Sequence, residues 1–224
     1  MLVPMTHRKL AMILAICAGV TLLAMQALSL ATGAAQEPHE HYALAESYAL
    51  DLLAHAPGLR ALFALDIAFC ILYTGFFAAL AAYLRALGRP FVALALGAMI
   101  GTCVLDFIED HHIVMMLNAA EHKVLPSQAE IGFQEVESAL KFSLSYLSLV
   151  LFGLAIPRDQ KLGAVLAWLL IAGSLLNAII GYALPLSAQR SFDGGRYIGF
   201  LVAFAVSIAW LRRAPEPVPA TPSA

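Results

Sequence analysis

The sequence predicts an all-α fold, a polytopic membrane bundle of six transmembrane helices, and three observations lead there. Of 224 residues, 61% are hydrophobic and only 12% charged, with a mean hydropathy of +0.81, well outside the range of a soluble domain. Apolar runs lie near 10–30, 59–84, 91–117, 139–156, 162–184 and 197–211, close to the roughly 20 residues needed to cross about 30 Å of hydrocarbon. The runs are continuous rather than alternating, and lipid offers backbone groups no outside partner, so helix is the spanning element.

The runs organise residues 1–213 as a single membrane-embedded helical domain. The first begins after His7-Arg8-Lys9 and ends before small residues at 31–35. That pattern also suits a cleaved signal peptide, but an apolar core of about 20 residues exceeds the usual 7–15, which favours a retained helix. The longest connection, 36–58, has apolar Tyr42, Leu44, Tyr48, Leu52 and Leu53 among Glu46, Asp51 and His55, the pattern of a short helix lying at the interface. Pro57-Gly58 ends it before the second run. The tail, 214–224, has four prolines in eleven residues and reads as disordered.

Assigning connections alternately to two sides gathers Arg8, Lys9, Arg85, Arg89, Arg158, Lys161, Arg212 and Arg213 on one side, eight of the 13 lysines and arginines. The positive-inside rule makes that side, with both termini, cytoplasmic. In a bacterial cell the chain would then sit in the inner membrane. The opposite side holds Glu37, Glu40, Glu46, Asp51, Glu121, Glu130, Glu135, Glu137 and Asp193. A net charge of −2 without a basic patch excludes a nucleic-acid partner. Cys17, Cys70 and Cys103 all fall within runs, form no CxxC pair and read as small apolar fillers.

The third run carries the densest chemistry. Asp106, Glu109, Asp110, His111 and His112 lie within seven residues of a segment otherwise suited to hydrocarbon, where ionisable groups persist when they face a bundle interior or serve a path. At 1.5 Å per residue, Asp106 sits roughly 16 Å and Glu109 roughly 12 Å below the outer edge, with Asp66 of the second run and Asn177 of the fifth each about 10 Å deep. Lys141 enters with the fourth run a few ångströms down. All occupy the outer half of the membrane. At about 100° per residue, Asp106, Glu109 and Asp110 share one arc, with His112 beside it and His111 pointing away. The expected intramembrane polar network is thus Asp66, Asp106, Glu109, Asp110, His112, Lys141 and Asn177.

Ala64-Leu65-Asp66-Ile67 and Ala139-Leu140-Lys141-Phe142 echo one another, as do Gly101-Thr102 and Gly173-Ser174. The echo suggests Asp66 and Lys141 at equivalent depths, neutralising each other. Ser143, Ser145 and Ser148, and the Gly97/Gly101 pair, read as helix-packing positions. His39-Glu40-His41 reads as a solvated loop segment with at most weak metal affinity.

Three functional readings remain open. The network is a salt-bridge scaffold, as in a membrane-complex subunit or a homo-oligomer, although one lysine does not neutralise four carboxylates. It is a cation site, for protons or a divalent metal on Asp106, Glu109, Asp110 and His112, with transport as the purpose. Or it serves a membrane-embedded enzyme acting on a lipid-like substrate drawn from the bilayer, with separated acid and base. Glu109 to His112 is one Glu-x-x-His, but a di-iron centre needs a second such motif and further core glutamates, which are absent from the sequence. No HExxH, GxSxG or phosphate loop supports any particular enzyme.

Overall fold

The computed structural model describes residues 5–184 and 186–216, with 186–194 described as helix backbone alone. Seven helices account for most of the described chain, and no strand occurs among the described residues. Six of them are long and apolar enough to span a membrane: α1 (His7–Thr32), α3 (Ala56–Ala86), α4 (Val92–Glu121), α5 (Gln128–Ala155), α6 (Lys161–Ala183) and, within α7 (Leu186–Arg213), the part Gly195–Arg213. The short α2 (Ala45–Ala54) follows a four-residue 3-10 turn, Glu37–Glu40. The expected tail from residue 217 onward and the side chain of Asp193 lie outside the described residues.

Local chemistry sets most helix ends. Thr6 caps α1 by accepting from the Lys9 amide, and Gly33 closes it with φ 72°, a left-handed conformation that glycine adopts without a Cβ penalty. Ser127 and Glu130 form a reciprocal capping box at the start of α5. Pro57 sits in the first turn of α3, where its missing N–H costs nothing.

The spans form a closed ring in which each packs on two neighbours, in the order α1, α3, α4, α5, α6, α7 and back to α1. Small residues permit close approach where the ring is tightest. Ala11, Ala15 and Ala18 bury one face of α1. A Cβ at Gly58 would lie 2.7 Å from Ala34 Cβ, one at Gly153 2.8 Å from the Ala167 carbonyl, and one at Gly163 2.2 Å from the Pro157 carbonyl. Of the expected Gly97/Gly101 face only Gly101 approaches α5, 3.1 Å from Leu144, while Gly97 faces open space. Ile13, Val20, Ile71, Leu94, Leu147, Leu175 and Ile179 are exposed on the ring's outside. That apolar exterior around buried polar groups is the arrangement a bilayer demands.

One end of the ring gathers both described chain ends. Arg8 donates to the carbonyls of Leu211 (3.1 Å) and Ala214 (2.8 Å) and pairs with Glu216 at 2.7 Å. Tyr83 donates to the Pro215 carbonyl at 2.9 Å, and Arg89 to that of Ala155 at 2.9 Å. At the other end α2 lays Tyr48, Ala49 and Leu52 against α3 and α4 and leaves Leu50 and Leu53 outside.

Two differences from expectation matter for the site. The fourth span begins at Gln128 rather than near residue 139, because hydropathy marks only the stretch matched to hydrocarbon, while Ile131, Gln134, Glu137 and Ser138 continue the buried face outward. The connection after α1 is not a solvated loop. His39 and Glu40 are 2% and 6% exposed, turned into the mouth of the ring.

Candidate functional site

The fifth helix supplies a polar stripe. Gln134, Ser138, Lys141, Ser145 and Ser148 recur at steps of four and three, the spacing of one helical face, and all are buried. Ser148 donates to the Ala95 carbonyl at 2.7 Å, tying α5 to α4, whereas Ser143 lies off the stripe and is half-buried, its hydroxyl 3.1 Å from that of Tyr182.

Opposite this stripe stands the α4 face of Asp106, Glu109 and Asp110. The Lys141 ammonium contacts Glu109, lies 3.0 Å from Asp106 Oδ1 and 3.6 Å from Glu40 Oε1, and is itself 5% exposed. Glu109, with no exposed surface, also accepts from the Ser138 hydroxyl and, at 3.2 Å, from the Gln36 amide. That same Gln36 amide donates to Asp110 Oδ1 at 3.1 Å, while Asp110 Oδ2 is buried without a hydrogen-bond partner among the described residues. Asp106 Oδ2 accepts from the Tyr73 hydroxyl at 2.8 Å and from the Cys70 thiol at 3.3 Å. Cys70, read from sequence as an apolar filler, is thus a polar member of the site.

Asp66 is placed otherwise than the sequence echo suggested. It has no ion pair within 4 Å and no hydrogen bond among the described residues, although it is more than nine-tenths buried. Lys141 is engaged instead by Asp106, Glu109 and Glu40. Asp66, Cys70 and Asp106 present ligand atoms within 4.8 Å of one another, the one such group of three among the described residues. The expected ligand set of Asp106, Glu109, Asp110 and His112 is not gathered in that way. Lys141 stands between Asp106 and Glu109, and His112 turns outward, its Nδ1 2.8 Å from Glu137 and its Nε2 3.7 Å from Glu130. His111 is exposed, and Asn177 donates to its own helix at the Gly173 carbonyl, 2.8 Å away.

The 3-10 turn completes the cluster. Glu40 lies 3.5 Å from Arg196 of α7 as well as beside Lys141, and Arg196 sits 4.6 Å from the Phe142 ring centroid. Burial pushes the Glu40 carboxyl up, but Lys141, Arg196 and His41 outweigh it and hold the group below the ordinary carboxylate range. Burial lowers the His39 imidazole, and Asp51, 3.1 Å from Nε2, only partly offsets this. Gln36, Glu40, Cys70, Tyr73 and Ser138 are the members that sequence reasoning missed. The spacing of Gln134, Ser138 and Lys141 was a readable signal for Ser138; for the turn, Pro38 at the start of a compact unit was the only one.

A cavity of about 190 Å³ runs from this cluster into the ring. Gln36, Glu40, Asp66, Asp106, Lys141 and Arg196 line its polar end, and Phe69, Phe76, Phe77, Phe200 and Phe204 much of the remainder. Chemically the arrangement holds charge: five carboxylates surround two cationic side chains, with Tyr73, Cys70, Ser138 and Gln36 as neutral donors. Comparison of the chain with protein-family models, with characterised proteins and with solved structures returns no match, so its function is argued from this geometry.

Proposed function

We propose that this multi-pass membrane protein binds cations in the polar cluster between α3, α4 and α5, as the loading step of cation transport. The observation that supports this is the charge imbalance. Glu40, Asp66, Asp106, Glu109 and Asp110 share one buried region in which Lys141 and Arg196 are the lysine and arginine side chains among the described residues. Even insertion scales put an uncompensated charge at the centre of a span at about 2.5–3.5 kcal/mol. Protons or one divalent metal ion meet that deficit most directly.

For a metal, Asp66, Cys70 and Asp106 are the donors that fit, two carboxylates and a thiol whose mixed hardness suits the zinc class better than magnesium or calcium. Cys70 would release the proton it now donates to Asp106. For protons, the same carboxylates are the acceptors. The basic end of the ring, with Arg8, Arg85, Arg89, Arg212 and Arg213, is assigned to the cytoplasm by the positive-inside rule, so the cluster loads from the opposite side, the periplasm if the membrane is a bacterial inner membrane.

The test uses purified protein in lipid nanodiscs. Metal content is measured after zinc loading and desalting, and the carboxylic-acid stretching band is followed by infrared difference spectroscopy as pH changes. One zinc per chain that Asp106→Asn abolishes, or a protonation band that Asp66→Asn or Asp106→Asn removes, is the expected result. No stoichiometric metal together with no carboxylate-dependent band would overturn the proposal.

A further inference from the structure

The cavity is more than an antechamber to the cluster. Its polar end presents three acids, Glu40, Asp66 and Asp106, against two bases, Lys141 and Arg196. Lys141 is held by Glu40 and Asp106, and Arg196 lies beside Glu40, which leaves the Asp66 carboxylate facing the cavity with no partner among the described residues. Counted at formal charge, the wall therefore has one acid more than it has bases, and Asp66 is the acid left over. Below Asp66 on the same face of α3 come Phe69 and Tyr73, whose rings meet edge to face at 5.2 Å, then Phe76, Phe77 and Leu80. From Asp66 to Leu80 the helix descends about 21 Å.

A metal ion or a proton meets the charge at the top of this space and leaves the apolar length below it unexplained. A single molecule meets both. We infer that the cavity takes a single-chain amphiphile with one positive charge, its ammonium head against Asp66 and its apolar chain between α3 and α7. An anionic head would face Asp66 directly, and an uncharged one would leave that carboxylate without a counter-ion. Phe69 and Tyr73 line the cavity beyond Asp66, and aromatic rings attract ammonium groups. The volume, about 190 Å³, exceeds the roughly 150 Å³ of an apolar cavity that holds benzene. The head lies toward the acidic end and the tail toward mid-bilayer, the orientation an amphiphile already has in that leaflet.

The inference rests on the charge deficit of the proposed cation site, but its test separates the two. Protein in zwitterionic nanodiscs is titrated with tritiated alkyltrimethylammonium ions of graded chain length, with empty nanodiscs subtracted, and with alkyl sulfates and alkanols of equal length as competitors. Saturable binding of one ion per chain is expected, tightening about fourfold per added methylene until the space is filled. Tetramethylammonium should bind at least a hundredfold more weakly than the decyl ion, and Asp66→Asn should lose at least tenfold. Gly173→Leu and Gly199→Leu place bulk where a Cβ meets nothing within 4 Å, on cavity-lining positions that themselves contribute no polar side chain to the cluster. They should abolish the gain from longer chains while the protonation band or zinc stoichiometry stays at the wild-type value. Equal competition by sulfates or alkanols, affinity independent of chain length, or unchanged binding in Gly173→Leu would overturn the amphiphile and leave the cation site standing. Amphiphile binding with no proton or metal uptake would overturn the proton or metal loading and leave the amphiphile.

Discussion

Replacing Lys141 with methionine removes the only cation among the described residues that touches Asp106 and Glu109, while keeping most of the side chain's apolar length. At an effective dielectric of about 20, attraction at the 3.0 Å separation from Asp106 is about 5.5 kcal/mol, and at 3.6 Å from Glu40 about 4.6 kcal/mol. The desolvation of a lysine with 5% exposure offsets much of that sum. What survives is the penalty of stranding its partners, about 3–5 kcal/mol for breaking a buried pair. Glu109→Gln alone should cost less, since Lys141 keeps Asp106 and Glu40 and the amide still accepts from Ser138. The double variant should fall short of the summed losses by roughly 0.5–3 kcal/mol. Reversible unfolding in mixed micelles, with SDS as denaturant and circular dichroism as readout, measures all three. A Lys141→Met variant within about 1 kcal/mol of wild type, or strictly additive losses, would refute the account of the cluster as one coupled unit.

Other outcomes follow from the same geometry. Asp66→Asn should cost no stability and raise it by up to about 1–3 kcal/mol, because it removes a buried charge without a partner; a loss in the same SDS titration would show that Asp66 is held by something else. Gly163→Ala should lower stability by about 1–3 kcal/mol and shift Trp210 fluorescence, since the new Cβ meets the Pro157 carbonyl at 2.2 Å and Trp210 Nε1 at 3.1 Å. The folded state favours neutral His39, so the stability this residue contributes is complete above its ordinary pKa of 6.5 and is lost as pH falls from there towards its lowered folded value. Hydrogen exchange in 35–52 should therefore quicken between about pH 7.5 and about pH 5.5 relative to the spans, and His39→Phe should flatten that dependence. Ser127→Ala should cost about 0.5–2 kcal/mol through loss of the capping box, measured by the same unfolding assay.

How much of this was legible beforehand depended on the range of the interactions concerned. Six spans follow from continuous apolar runs because the bilayer imposes a length on each one separately. The shared face of Asp106, Glu109 and Asp110 follows from helical periodicity within six residues, and so does the outward aim of His111. Partner choice does not follow. Lys141 meets Asp106 and Glu109 rather than Asp66 because of how α5 is rotated and shifted against α4, a tertiary quantity that depth estimates of a few ångströms do not resolve. Glu40 was beyond reach for the same reason. Its burial depends on Lys141 and Arg196, 101 and 156 positions further along the chain, so within its own segment it reads as an ordinary loop acid. The start of α5 was hidden differently: Gln134, Ser138 and Lys141 dilute hydropathy while facing the interior, so a polar stripe that belongs to the site disguised the helix that carries it.

A scaffold of ion pairs and a ligand site make opposite demands on the last acid. In a purely structural buried network every member has a partner, since a half-satisfied network is less stable than an apolar core. Here the neutral donors are distributed without exception to acids other than Asp66: Ser138 to Glu109, Gln36 to Glu109 and Asp110, Tyr73 and Cys70 to Asp106. The bases follow the same pattern, Lys141 to Glu40, Asp106 and Glu109, and Arg196 to Glu40. Among the described residues two bases neutralise at most two of five carboxylates however the protons are shared, so the deficit there does not depend on any one distance. Asp66 alone receives neither donor nor base among the described residues, and it alone of the five combines that lack with a place on the cavity wall. Each of the other four acids has at least one hydrogen bond or ion pair within the chain. Asp66 has no such contact among the described residues, and the proposed ligand would balance its charge through the space that opens beside it.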